Sequence, residues 1–165
     1  MTILAAALVA LAAALVELSV GPHFGVADAH PHLVLVLGVI ATRTIGPQVG
    51  LTWAFVGGIA IDVLAGRPLG VTAFALIVVS GAAGLVPPST FRIRLPAAIA
   101  LVPLCSALSS ALLSAALGIL GTPIATPDLG SLLVATAYDT AVAIIVVPVV
   151  ILAVDRRSRA GRVYA

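Results

Sequence analysis

Glu17, Asp62 and Asp139 each stand inside a run of apolar residues, where a carboxylate is costly unless it is paired, hydrogen-bonded or protonated, and where an ionisable side chain is a functional candidate by default. Each also has a plainer structural use. Glu17 lies one turn from the end of the first apolar segment, so its carboxylate has the reach to meet an interface. Asp62 falls near the end of the third segment, where a helix dipole disfavours an anion, and Arg67 follows in the turn before Pro68. That spacing predicts an Asp62–Arg67 contact that neutralises both groups and shapes the turn. Asp139 is deeper, about 12 Å along its helix at 1.5 Å per residue, with no cation nearby in sequence. It is expected to bond a Ser or Thr hydroxyl of a neighbouring helix or to hold a proton, with a proton relay as the functional alternative.

The stretch after the first segment contains His23, Asp28, His30 and His32. Imidazoles with a carboxylate could gather a divalent metal, but the spacing matches no ligand motif, and a polar surface loop is the expected reading. Cys105, the one cysteine, lies in an apolar run and is assigned to packing. No Ser/His/Asp set, phosphate loop or acidic pair can be assembled from the remaining residues. Accordingly no catalytic residue, metal site or cofactor is assigned.

Composition dictates the elements that must position these groups. The chain is 62% hydrophobic with eight basic and six acidic residues in 165, and its mean hydropathy is +1.28, outside the range of water-soluble domains. Leu95 to Pro127 is an uncharged run of 33 residues and Pro68 to Phe91 one of 24, whereas about 20 apolar residues span a bilayer as a helix. The chain therefore reads as a single all-α integral membrane domain over residues 1–165, a polytopic helix bundle with about six transmembrane helices. The expected spans are 3–20, 32–45, 48–65, 69–86, 96–120 and 131–154, separated by Gly21-Pro22, Gly46-Pro47, Arg67-Pro68, Pro87-Pro88 and Thr122-Pro123. The first segment lacks a basic leader and is read as a retained helix.

All eight basic residues are arginine. With the amino terminus inside, Arg43, Arg92, Arg94, Arg156, Arg157, Arg159 and Arg162 face the cytoplasm and Arg67 alone lies outside, as the positive-inside rule requires. Both termini are then cytoplasmic, and 155–165 is a short basic tail. Arg43 and Gly46-Pro47 leave the second span short, and a five-span chain with its amino terminus outside fits the same arginines. The net charge of +2 is too small and scattered for a nucleic-acid partner; membrane lipid is the expected surrounding.

Small residues recur every four positions in Ala6, Ala10 and Ala14, in Gly50, Ala54 and Gly58, and in Ser106, Ser110, Ser114 and Gly118. This spacing places each set on one helix face, where small side chains let two backbones approach. Packing within the bundle is favoured over a face for a partner. Gly50, Ala54, Gly57, Gly58, Asp62, Arg67, Pro68 and Gly70 are the residues assigned to partner binding or structure, and Glu17 and Asp139 are the intramembrane polar pair.

The stretch from Gly46 to Leu85, with the core Trp53-Ala54-Phe55-Val56-Gly57-Gly58-Ile59-Ala60-Ile61-Asp62-Val63-Leu64-Ala65-Gly66-Arg67-Pro68-Leu69-Gly70, resembles the rod shape-determining protein MreD family. The family's pattern is an Ala-Phe then a Gly-Leu in one helix, an Asp a turn later, a short turn, and a Leu-Gly opening the next helix. Here Gly58 stands in place of the usual Leu, and Asp155 and Ser158 interrupt the terminal basic cluster. The resemblance implies six spans in a bacterial plasma membrane and a non-catalytic role in the cell-elongation complex. It also implies binding to the single-span protein MreC, alongside MreB, RodA and a class B penicillin-binding protein that build lateral peptidoglycan. A lipid-exposed face of Gly50, Ala54 and Gly58 is the expected seat for the MreC helix. The alternative is the substrate-binding membrane component of an energy-coupling factor vitamin transporter, which Ala6, Ala10 and Ala14 suit and the chain's seven aromatic residues do not. A proton-coupled carrier using Asp139 is the third reading.

Overall fold

A computed structural model describes residues 3–24, 32–85, 91–121 and 129–163. Among them are six helices and no strand: α1 (Ile3–Phe24), α2 (Leu33–Thr44), α3 (Pro47–Leu64), α4 (Val71–Leu85), α5 (Phe91–Ile119) and α6 (Leu129–Val163). Pro47–Leu64, Ile99–Ile119 and Leu132–Val149 are long and apolar enough to cross a membrane, whereas Ile3–Ser19, Leu33–Thr44 and Val71–Leu85 are apolar but shorter. Two ends differ from expectation. α1 continues through Gly21-Pro22 to Phe24, because a proline in the last turn removes only one intrahelical bond. α6 continues through Pro148 to Val163, so the helix runs beyond the expected span end at 154. Arginine and alanine favour helix there, and cations suit a helix carboxyl end.

The shortest helix is the centre of the bundle. α2 packs against all five others, which follow one another around it in the order α1, α3, α4, α5, α6; among the described residues α1 and α6 do not meet, so the ring is open between them. Burial follows from composition: Val34, Leu35, Val36, Gly38, Val39, Ile40, Ala41 and Thr42 are all buried, and a helix that is apolar on every side belongs in a core. Its 12 residues rise about 18 Å, against a hydrocarbon thickness of about 30 Å. α2 therefore starts and stops among its neighbours. At its last turn Arg43 donates to the Ala83 carbonyl of α4 over 3.4 Å. Large side chains such as Leu4, Leu8, Phe55, Phe74, Leu104 and Ile145 are exposed on the outside of the ring, the surface that lipid covers.

Small residues make the central contacts. Ala6, Ala10 and Ala14 are fully buried on the helix that packs against α2 and α3. A Cβ added to Gly50 would lie 2.7 Å from Thr42 Cβ and 2.8 Å from its Cα, one on Gly57 would lie 2.5 Å from Val34 Cγ1, and one on Gly58 would lie 2.6 Å from the Ala73 nitrogen. Two backbones, those of α2 and α4, thus press on one face of α3. Ala54, on the same face, is 1% exposed. The lipid-exposed small-residue face expected at Gly50, Ala54 and Gly58 does not exist: the stripe is consumed inside the bundle, where it allows α2 to be central. Trp53 completes the seam, donating its indole N–H to the Val34 carbonyl over 3.0 Å.

Candidate functional site

At one end of the bundle the three intramembrane carboxylates all meet the start of a helix. The first backbone N–H groups of a helix have no intrahelical acceptor, and they carry the positive end of its dipole. α2 has His32 as its N-cap residue, with no bond from that side chain to the cap. Its orphan donors are taken by other helices: the His32 N–H gives to Asp139 Oδ1 of α6 over 2.7 Å, and the Val34 N–H gives to Glu17 Oε2 of α1 over 2.7 Å. Glu17 is consequently 7% exposed and turned into the bundle, not out to the interface. Asp139 is fully buried. It also accepts the Ser106 hydroxyl of α5 at 2.5 Å, the helix-to-helix hydroxyl bond expected of it, and meets His32 Nδ1 at 3.0 Å. An ionised carboxylate there requires the proton on Nδ1. The partner that sequence distance concealed is thus His32, which belongs to this cluster and not to a surface loop; Asp28 and His30 lie outside the described residues, as does the side chain of His23.

Asp62 performs the same service for α4. Backbone bonds from Arg67 N–H to the Asp62 carbonyl, 2.9 Å, and from Gly66 N–H to the Val63 carbonyl, 3.4 Å, end α3 in a Schellman turn, with Gly66 at φ +63° as that turn demands. The Asp62 carboxylate then receives the N–H of Gly70 at 2.8 Å and that of Thr72 at 3.1 Å. Gly70 precedes α4 and has no side chain with which to cap it, so the capping oxygen comes from the preceding helix. The expected Asp62–Arg67 contact is not made. Two backbone donors on a helix start satisfy the carboxylate, and Arg67 is left facing elsewhere.

Arg67 borders a partly open cavity of about 80 Å³ shared with Glu17, His32, Thr72, Ser109 and Ser110 and with apolar side chains such as Leu35, Leu76 and Leu113. Ser109 donates its hydroxyl to the Ser106 carbonyl over 2.9 Å. No group of three His, Cys, Asp or Glu side chains among the described residues is arranged to hold a metal ion. Ser106, Asp139 and His32 are joined, but the serine donates to the carboxylate and not to the imidazole, unlike a Ser-His-Asp relay, in which the imidazole takes the serine proton. Cys105 is buried and free. Of the cavity's polar residues, sequence reasoning missed Thr72 and Ser109, and it saw His32 in another role; backbone amides, the partners that decide the carboxylates' positions, leave no mark in composition.

Six apolar helices, with their buried carboxylates holding other helices' first turns, define a polytopic membrane protein. The family model described as rod shape-determining protein MreD matches residues 1–155, and the chain belongs to that family. It is accordingly a membrane protein of cell-shape determination. No curated protein and no solved structure matches the chain.

Proposed function

We propose that this chain is a non-catalytic scaffold of the bacterial cell-elongation complex. It binds the membrane helix of MreC and, with RodA and a class B penicillin-binding protein alongside, helps to regulate lateral peptidoglycan synthesis. Family membership supports the setting. The carrying observation is the use of the polar groups: Glu17, Asp62 and Asp139 each hold a helix start, an arrangement that fixes shape. With the Gly50 and Gly58 face closed, the partner helix needs another seat. The groove of about 490 Å³ between α1 and α3, walled by Leu11, Leu15, Phe55, Val56, Ile59, Ala60, Val63 and Leu64, has the wholly apolar lining that dispersion-driven helix packing in lipid requires.

Filling or emptying that groove tests the reading. Ile59→Trp and Phe55→Ala are expected to reduce MreC recovered by co-purification several-fold while the protein remains in the membrane at its normal level. Undiminished MreC in both variants removes the groove from consideration. A vitamin bound with sub-micromolar affinity by the purified protein would favour the transporter component instead.

A further inference from the structure

We propose that the cavity beside Arg67 is a recognition site for a carboxylate-bearing ligand, with Arg67 as the group that reads the anion. Three observations converge on it. First, the only carboxylate near Arg67 in sequence, Asp62, is fully buried and already occupied by the Gly70 and Thr72 amides. The turn therefore presents to the cavity a guanidinium, which has five donors and no acceptor, and whose donors Asp62 does not take up. Second, Thr72 lines the same cavity and is 8% exposed, and its Oγ1 is the one buried side-chain polar atom among the described residues with no hydrogen-bond partner. Native interiors rarely leave such a group unmet. Third, Glu17 stands on the cavity wall, giving the chamber an acidic pole besides its basic one.

The charge pattern selects the ligand class. A guanidinium takes a carboxylate in a planar, two-bond fork, and the Thr72 hydroxyl supplies one more donor. A single carboxylate that also carries an N–H or ammonium group suits both the guanidinium and the Glu17 carboxyl, which can accept from a donor. About 80 Å³ is room for a small polar group, several times the roughly 10–15 Å³ that one water needs by the same measure. The same chemistry is offered by a free amino acid and by an acidic residue or carboxyl terminus of a polypeptide. The site is independent of the groove between α1 and α3, and different variants report on each.

The test uses the full chain in detergent, with melting temperature as the readout. Glycine is the free probe, an N-acetylated, C-amidated tripeptide with central aspartate is the polypeptide probe, and methylamine is the cation-only control. At about tenfold its Kd, a ligand of the folded state should raise Tm by about 3 °C or more. Glycine, the peptide or both should do so, and methylamine should not. A response to glycine alone assigns the site to free small molecules, and one to the peptide alone assigns it to a protein partner. Arg67→Gln should abolish the response, while Arg67→Lys and Thr72→Val should weaken binding about tenfold with the unliganded Tm retained. If neither carboxylate probe shifts Tm, or if Arg67→Gln responds like the wild type, the site is not a carboxylate receptor.

Discussion

Because the Asp62 carbonyl closes α3 while its carboxylate opens α4, truncating that side chain should unfasten the start of α4 and leave α3 intact. Asp62→Ala is expected to cost about 1–3 kcal/mol, the range for losing a cap and leaving buried donors unmet. Arg67→Ala should cost less than about 0.5 kcal/mol, as for an unpaired boundary residue. Thermal unfolding in detergent separates this from a charge pair, in which both substitutions would cost alike. Glycines give a second contrast. A methyl at Gly58 meets the Ala73 backbone, which cannot move aside, whereas nothing lies within 4 Å of one at Gly81. Gly58→Ala should therefore destabilise by about 1–3 kcal/mol, and Gly81→Ala should stabilise by up to about 1 kcal/mol.

The helices themselves were legible in the sequence, because runs of apolar residues and Gly-Pro punctuation record where a chain can enter and leave lipid. What could not be read was which helix would be central. α2 looked weakest on length and on Arg43, yet every neighbour packs on it; length measures the ability to span a bilayer and says nothing of burial by other helices. The sequence spacing of Asp62 and Arg67 suggested a pair for a similar reason, since side-chain charges are visible in a sequence and backbone amides are not. The glycine and alanine periodicity was legible as helix contact, but its partner was not. At this scale the α2 start gives a prediction. Glu17→Gln keeps an oxygen for the Val34 N–H and should retain most of the stability, while Glu17→Ala should lose about 1–3 kcal/mol. Proteolysis at the α1–α2 connection would report the loosening of that end.

For the molecule as a whole, the six helices carry a topological expectation: with seven arginines on one side, reporters fused at residue 1 and after Val163 should both be inactive outside the cell. An externally active reporter at residue 1 would mean that α2 does not cross. The ring that surrounds α2 also sets an order of events during synthesis. His32 receives its acceptor from Asp139, 107 residues further along the chain. At about 5–20 residues per second, a ribosome needs roughly 5–20 s to deliver it. Until then the His32 amide lacks the acceptor it has in the folded bundle. Maturation is then a late closing step in which the last helix to be made secures one of the first. Chains released after residue 121 should be inserted yet short-lived, their turnover set by membrane quality control, and a separately expressed α6 segment should prolong their lifetime only if it carries Asp139.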